Sequence, residues 1–369
     1  MKIHFSGRDS FPFFGFSGFV LAVILSAGII HYRSLEWLPF ILMVVSTVFA
    51  FFFLAFSVKI ISGKESYSLY PQMLFSMLCA GGTLTLSGYS ALTYLDVYSI
   101  GFGVFHISGR IGCHKAGCCH GRPSPFGIRY AKNYLSTGFP EYLVDVKLFP
   151  VQLTEAFGIS LITGFLIFLY TNGSSLPGTV WTWHVMLYST LRFLLEFTRG
   201  NTDRRYFATF SQAQWISIFL LALLPVGGMA QLWPLSRVQE FLGGNVILLS
   251  VIVFAIRKLY PQWQTSNPLY LKELGSVLLL QSLSVREGTA PPVHTTSIGL
   301  KLSISRHSVN DEEKWICSFS YPGKRKPYPI IKSTFRQLQL IQFRNGKVEE
   351  KQGNGGIHYF IVTTKTEKS

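Results

Sequence analysis

The chain is expected to be an all-α polytopic membrane protein of seven transmembrane helices, with a shorter eighth candidate, followed by a small, mainly β C-terminal soluble domain. Three observations predict this. Of 369 residues, 49% are hydrophobic and only 14% are charged, a balance too apolar for an ordinary soluble chain. Apolar runs long enough for a bilayer-crossing helix of about 20 residues recur at roughly 11–31, 37–60, 71–92, 96–112, 150–170, 178–198 and 212–233, with a shorter run near 244–256. Beyond Tyr260-Pro261 the pattern changes to shorter, alternating segments separated by Gly and Pro. Domain boundaries are therefore expected at 1–260 and 261–369.

The first apolar run lacks the small-residue cleavage pattern of a signal peptide and is read as a retained span. Most connections are short, as antiparallel neighbouring helices require. The exception is 113–149, which holds Pro123, Pro125, Gly127, Gly138 and Pro140 together with Lys115, Arg122, Arg129, Lys132 and Lys147. Loops of this length inside a compact protein are commonly functional. In the tail, 269–286 reads as one amphipathic helix, and 297–305, 314–321, 338–343 and 357–363 read as strands.

The net charge of +15 is compatible with ordinary basic loops or with attraction to anionic lipid, worth roughly 1 kcal/mol per basic residue near a charged surface. Nucleic-acid binding is not expected of the membrane part.

Polar residues inside the apolar runs narrow the function. The sixth run places Tyr188, Arg192 and Glu196 at i, i+4 and i+8, with Arg199 three residues further, so all four are predicted to share one helix face. Two arginines against one carboxylate suit a phosphate, which the planar guanidinium can hold through two parallel hydrogen bonds; the simpler alternative is an internal Arg–Glu pair that pins neighbouring helices. The fourth run repeats the spacing with His106, Arg110 and His114. An arginine at mid-membrane costs about 2.5–3.5 kcal/mol on insertion scales, so it generally has a task. The fifth run opens with Pro150, and its Gln152 and Glu155 lie on one face. Cys113, Cys118 and Cys119 crowd beside His114 and His120. They leave open a disulfide, simple packing, or a metal site, although the spacing fits no standard zinc set.

Four blocks carry a resemblance to a known family: Gly81-Gly82 after Cys79-Ala80; Gly109-Arg110-Ile111-Gly112 with Gly121-Arg122-Pro123; Pro150-Val151-Gln152-Leu153-Thr154-Glu155; and Tyr188, Arg192, Phe193, Glu196, Arg199 and Asp203, with Ser211 and Gln214 opening the next span. Over roughly residues 11–233 the chain resembles the prolipoprotein diacylglyceryl transferases of bacterial inner membranes. The resemblance implies a multi-pass membrane transferase that moves the diacylglyceryl group of phosphatidylglycerol to the thiol of a preprolipoprotein lipobox cysteine, releasing glycerol 1-phosphate, with no metal or organic cofactor. It implies Arg110, Arg192 and Glu196 as catalytic candidates, with His106 or His114, from the fourth run's own stripe, doing work normally done elsewhere. Gly109, Gly112, Arg122, Gln152, Glu155, Tyr188 and Arg199 are then the residues that bind substrate.

The departures are specific. Ala80 stands where the family carries the histidine of a His-Gly-Gly motif, Cys113 to Cys118 replaces a run rich in asparagine, and Phe13-Phe14 replaces an aromatic pair with a phenol. They open an alternative: a divergent paralogue that binds anionic phospholipid and uses another acceptor, or transfers nothing. A transporter for a phosphorylated lipid fits the Pro150–Glu155 block less well. Loop charge, by the positive-inside rule, places the N-terminus in the cytoplasm; the resemblance implies the reverse and is followed here.

Overall fold

The structure, a computed structural model, describes residues 7–63, 69–173, 176–202, 204–284, 291–309, 312–321, 328–343, 346–353 and 357–365. Asp203 lies outside the described residues. The chain forms two compact units, neither continuous in sequence. The first comprises Met1–Ala116, Gln152–Phe197 and Arg205–Val253, and the second Gly117–Val151, Thr198–Arg204 and Phe254–Ser369.

The first unit is a helical bundle: α1 (Gly7–Tyr32), α2 (Trp37–Ser62), α3 (Leu69–Leu86), α4 (Ala91–Ala116), α5 (Val151–Asn172), α6 (Thr179–Leu195), α7 (Gln212–Met229) and α8 (Arg237–Leu259). Five of these, α1, α2, α5, α7 and α8, are long and apolar enough to cross a membrane by length and composition. The third apolar run stops at Leu86, earlier than the expected 92, and α8 is longer than its 244–256 run. On α2, Phe49, Phe52, Phe53, Phe56, Ile60 and Ile61 are exposed, an apolar surface that suits lipid and not water.

Apolar side chains gain nothing by leaving lipid for each other, so helices in a bilayer associate where small residues let backbones approach. That is the pattern here. A Cβ on Gly18 of α1 would lie 2.6 Å from Ser108 Cβ on α4, and one on Gly101 of α4 would overlap Ser26 of α1. Gly103 does the same against Thr163 of α5, and a Cβ on Gly158 of α5 would lie 2.7 Å from Leu191 of α6. Helix ends are tied by side chains. Asp96 of α4 accepts from Gly178 N at 2.8 Å and Trp181 N at 2.7 Å, capping α6. Ser211 and Gln214 form a capping box at the start of α7, which satisfies two orphan N–H groups.

In the second unit a five-stranded antiparallel sheet runs in the order β4 (His294–Thr295), β5 (Lys301–Val309), β6 (Glu312–Ser320), β8 (His358–Lys365), β7 (Lys347–Gln352). Helices α9 (Pro268–Ser284) and α10 (Tyr328–Ile341) bury Leu274, Val277, Phe335 and Leu338 in one core with Leu302, Cys317, Phe319 and Phe360 of the sheet. The strand expected at 338–343 is instead the end of α10 and the turn after it. Ile331, Thr334, Phe335 and Leu338 are its buried positions, a spacing of three and four that belongs to a helix and not to alternation.

The segment before α5 folds with this tail. It contains β1 (Pro123–Ile128) and two 3₁₀ turns, and its Tyr130, Phe139, Leu143, Val146 and Leu148 form a cluster on which Ile341 packs. A Cβ on Gly275 would overlap the Tyr142 ring, so α9 sits directly on this segment. The Cys113, Cys118 and Cys119 sulfurs lie within 4.8 Å of one another.

Burial raises the Cys317 thiol well above its ordinary range and pushes the Tyr142 phenol up to about 12. Both groups stay neutral in the folded unit at pH values where the unfolded chain ionises them. Their contribution to stability is therefore present at neutral pH and is lost as pH rises past about 8.5 for the thiol and 10 for the phenol. Circular dichroism melts from pH 7 to 10.5 should show this unit's Tm falling. Maleimide should label Cys317 only after unfolding.

Candidate active site

Three helices of the first unit bring the polar stripes together. On α4, His106 and Arg110 are one turn apart and both buried. On α5, Gln152 and Glu155 occupy the first turn, also buried. On α6, Tyr188 and Arg192 lie one turn apart near the C-terminal end, and Glu196 continues the row in a 3₁₀ turn.

Glu155, 0% exposed, is the hub. Its Oε2 lies 3.1 Å from Arg110 Nε. Its Oε1 accepts from Tyr188 Oη at 3.3 Å and faces His106 Nε2 at 3.9 Å. The imidazole of His106 also stands edge-on to the Tyr188 ring, with centroids 4.9 Å apart. One turn along α6, Arg192 Nη1 and Glu196 Oε2 pair at 2.8 Å. The close approach at Gly158 and Leu191 is what sets α5 against α6 at this level.

This corrects the expected charge balance. α6 ends at Leu195, and Arg199 lies beyond the 3₁₀ turn at an antiparallel bridge with Gly121, off the helix face. Each arginine of the cluster instead has one carboxylate: Glu155 for Arg110 and Glu196 for Arg192. The pairing is what the membrane demands, since an unmatched buried charge is far costlier than a matched one. Two carboxylates already facing guanidinium groups suit an anionic ligand better than a metal cation.

The remaining candidates sort as follows. Gly109 has open space where a Cβ would stand, whereas a Cβ on Gly112 would lie 2.9 Å from Phe14 Cβ. Gly112 thus serves the packing of α1 on α4, which is also where Phe14 goes. His114 is half-buried, eight residues beyond His106, hence about 12 Å along the axis. In the second unit, Arg122 Nε donates to Arg199 O at 2.9 Å, and Arg122 N donates to Thr198 O at 2.9 Å. These two arginines belong to one small antiparallel junction, where Gly121 and Gly200 leave no room for side chains against neighbouring carbonyls. Ala80 is fully buried in an apolar cluster with Met77, Leu84 and Leu95.

Sequence reasoning missed a layer of hydroxyls. Tyr70 of α3 hydrogen-bonds Ser189 at 3.3 Å and Ser217 at 3.1 Å, and its ring packs edge-on against Tyr188. Ser189 sits beside Tyr188 in sequence, but serines on apolar helices commonly bond their own backbone, so nothing in the chain marked them.

If Glu155 and Arg110 act as a unit, Glu155→Ala should cost about 3–5 kcal/mol because it strands a buried guanidinium. The double variant Glu155→Leu with Arg110→Met should cost much less. Thermal unfolding in detergent reads both; equal losses would show that the pair is not coupled.

Residues 14–229 match the model of a family described as prolipoprotein diacylglyceryl transferase. A phosphatidylglycerol–prolipoprotein diacylglyceryl transferase of Clostridium tetani is 29% identical over 137 residues, covering 37% of this chain and 52% of its own length. A second, from Clostridium perfringens, is 31% identical over 144 residues, 38% and 51% of the two chains. One from Dehalococcoides mccartyi is 28% identical over 177 residues, 44% and 66%. The chain spans about half the length of the first two relatives.

Proposed function

The chain belongs to the prolipoprotein diacylglyceryl transferase family, and from that premise we propose that it transfers the diacylglyceryl group of phosphatidylglycerol to a lipobox cysteine of preprolipoproteins. The observation that carries the reading is the buried pair of arginines, each held by its own carboxylate.

In the proposed reaction the cysteine sulfur attacks the glycerol carbon bearing the phosphate. The C–S bond forms, the C–O bond breaks, and glycerol 1-phosphate leaves with the bonding electrons. Arg110 and Arg192 meet the growing charge on the phosphate. A guanidinium has five N–H donors, so each can keep its carboxylate and still face the phosphate. Donors already in place for developing charge often contribute more to the rate than any other single effect. The thiol proton passes to His106, which becomes cationic as the phosphate becomes more negative, so the nearly neutral site compensates itself. Glu155 orients Arg110 and Tyr188, and Glu196 orients Arg192. Gln152 and Gly109 line the substrate space, His114 stands nearer the helix end, and Arg122 and Arg199 serve the head group.

We further place residues 1–260 as the transferase-like domain, spanning the bacterial inner membrane seven or eight times, with 261–369 as an added domain. By the family resemblance the N-terminus is outside.

One observation favours the alternative, a lipid-binding paralogue that transfers nothing to lipoproteins: the methyl of Ala80 is sealed in an apolar cluster, so no imidazole acts from α3. Purified protein given radiolabelled phosphatidylglycerol and a lipobox peptide separates the two. Label on the peptide, lost by at least about 10²-fold in Arg110→Ala and in Arg192→Ala, establishes the transferase. Arginine-dependent lipid binding without label on the peptide establishes the paralogue. In the transferase, His106→Gln should lower kcat and flatten the pH–rate profile while leaving lipid binding intact.

A further inference from the structure

The helices that carry the arginine–glutamate cluster form a second polar site at their opposite end. Asp96 precedes Arg110 by 14 residues on α4, which is about 21 Å along the axis. There a cavity of about 620 Å³ opens, lined among others by Tyr32, Arg33, Ser34, Thr93, Asp96 and Tyr170. We propose that it is a second binding site, for a phosphate that carries a glycerol or similar polyol.

The cation is held in place. The Arg33 guanidinium lies over the Tyr170 ring, 5.0 Å from its centroid, a contact that restrains an otherwise flexible side chain. The turn that bears it is fixed on both sides. Arg33 N, Ser34 N and Leu35 N donate to Ile29, His31 and Ile30 carbonyls, and Tyr94 Oη on α4 donates to Glu36 O at 3.0 Å. Ser34 adopts φ 50, a left-handed conformation that a non-glycine residue keeps only where its surroundings enforce it.

Among the described lining residues the one carboxylate, Asp96, does not oppose an anion. Asp96 is engaged by Gly178 N and Trp181 N at the start of α6, where the helix dipole offsets its charge. That leaves Arg33 as the basic residue among the described lining, beside the hydroxyl-bearing Tyr32, Ser34, Thr93 and Tyr170. A cation that can form a two-pronged contact, together with neutral hydroxyls, matches a phosphate diester or monoester bearing free hydroxyls. It offers no carboxylate to a choline or ethanolamine head.

Two sources share this chemistry, the head group of an anionic phospholipid and free glycerol phosphate. Native mass spectrometry of the full chain in detergent, titrated with phosphatidylglycerol, phosphatidylcholine or glycerol 1-phosphate, distinguishes them. Arg33 is exposed, so Arg33→Gln should leave the fold intact. The expected result is that Arg33→Gln retains one fewer phosphatidylglycerol than the wild type, or binds it at least tenfold more weakly, with Arg33→Lys intermediate and phosphatidylcholine not retained. The same loss seen with glycerol 1-phosphate in place of lipid assigns the site to the free phosphate. Equal retention of both probes by wild type and Arg33→Gln overturns the proposal. So does retention of phosphatidylcholine to the same extent.

Discussion

Matching of buried charge is the constraint on which the rest of the helical unit depends. Arg110 and Arg192 sit in a place where an uncompensated cation would be expelled or would draw water in. Carboxylates at 3.1 and 2.8 Å make them tolerable. One of those pairs lies within a single stretch of chain, Arg192 with Glu196. The other spans two helices, and it works only if α4 and α5 are brought close with the correct rotation. Gly103 of α4, packed against Thr163 of α5, allows that approach, so the packing of small residues and the electrostatics are one design. Glu155 then acts on three neighbours at once, which ties the positions of an arginine, a phenol and an imidazole to a single carboxylate.

Acids throughout this unit are used to hold other groups. Asp96 fastens the start of α6, and Glu155 and Glu196 hold arginines near its end. The helix bearing Tyr188 and Arg192 is thus anchored at both termini by carboxylates, one of them from α4 itself. A rigid α6 presents its donors in fixed directions, and this is the requirement for stabilising charge that develops only during a reaction.

Much of the fold was legible because lipid leaves a strong imprint on sequence. Runs of apolar residues marked the helices, and interruptions by Arg110, Arg192 and Glu155 marked the polar centre. What was not legible depended on contacts distant in sequence or on helix ends. Spacing alone puts Arg199 on the stripe, because a period of 3.6 carries no notice that α6 stops at Leu195. Gly112 reads as a substrate contact and is a packing site for Phe14. The hydroxyl trio of Tyr70, Ser189 and Ser217 joins three helices that no local pattern connects. At 338–343 a helical period looks like alternation because six residues are too few to show two turns.

The second unit is assembled from pieces that lie far apart along the chain. Its first piece, 117–151, leaves the ribosome more than a hundred residues before α9 and α10 exist to cover Tyr142 and the Leu143–Leu148 cluster. At bacterial synthesis rates near the upper end of about 5–20 residues per second, that is a wait of several seconds. During that interval a membrane-tethered segment with unpaired apolar side chains is open to proteases and to chaperones that bind such surfaces. Until α9 and α10 have been made, Tyr142 and the Leu143–Leu148 cluster lack the side chains that cover them in the folded unit.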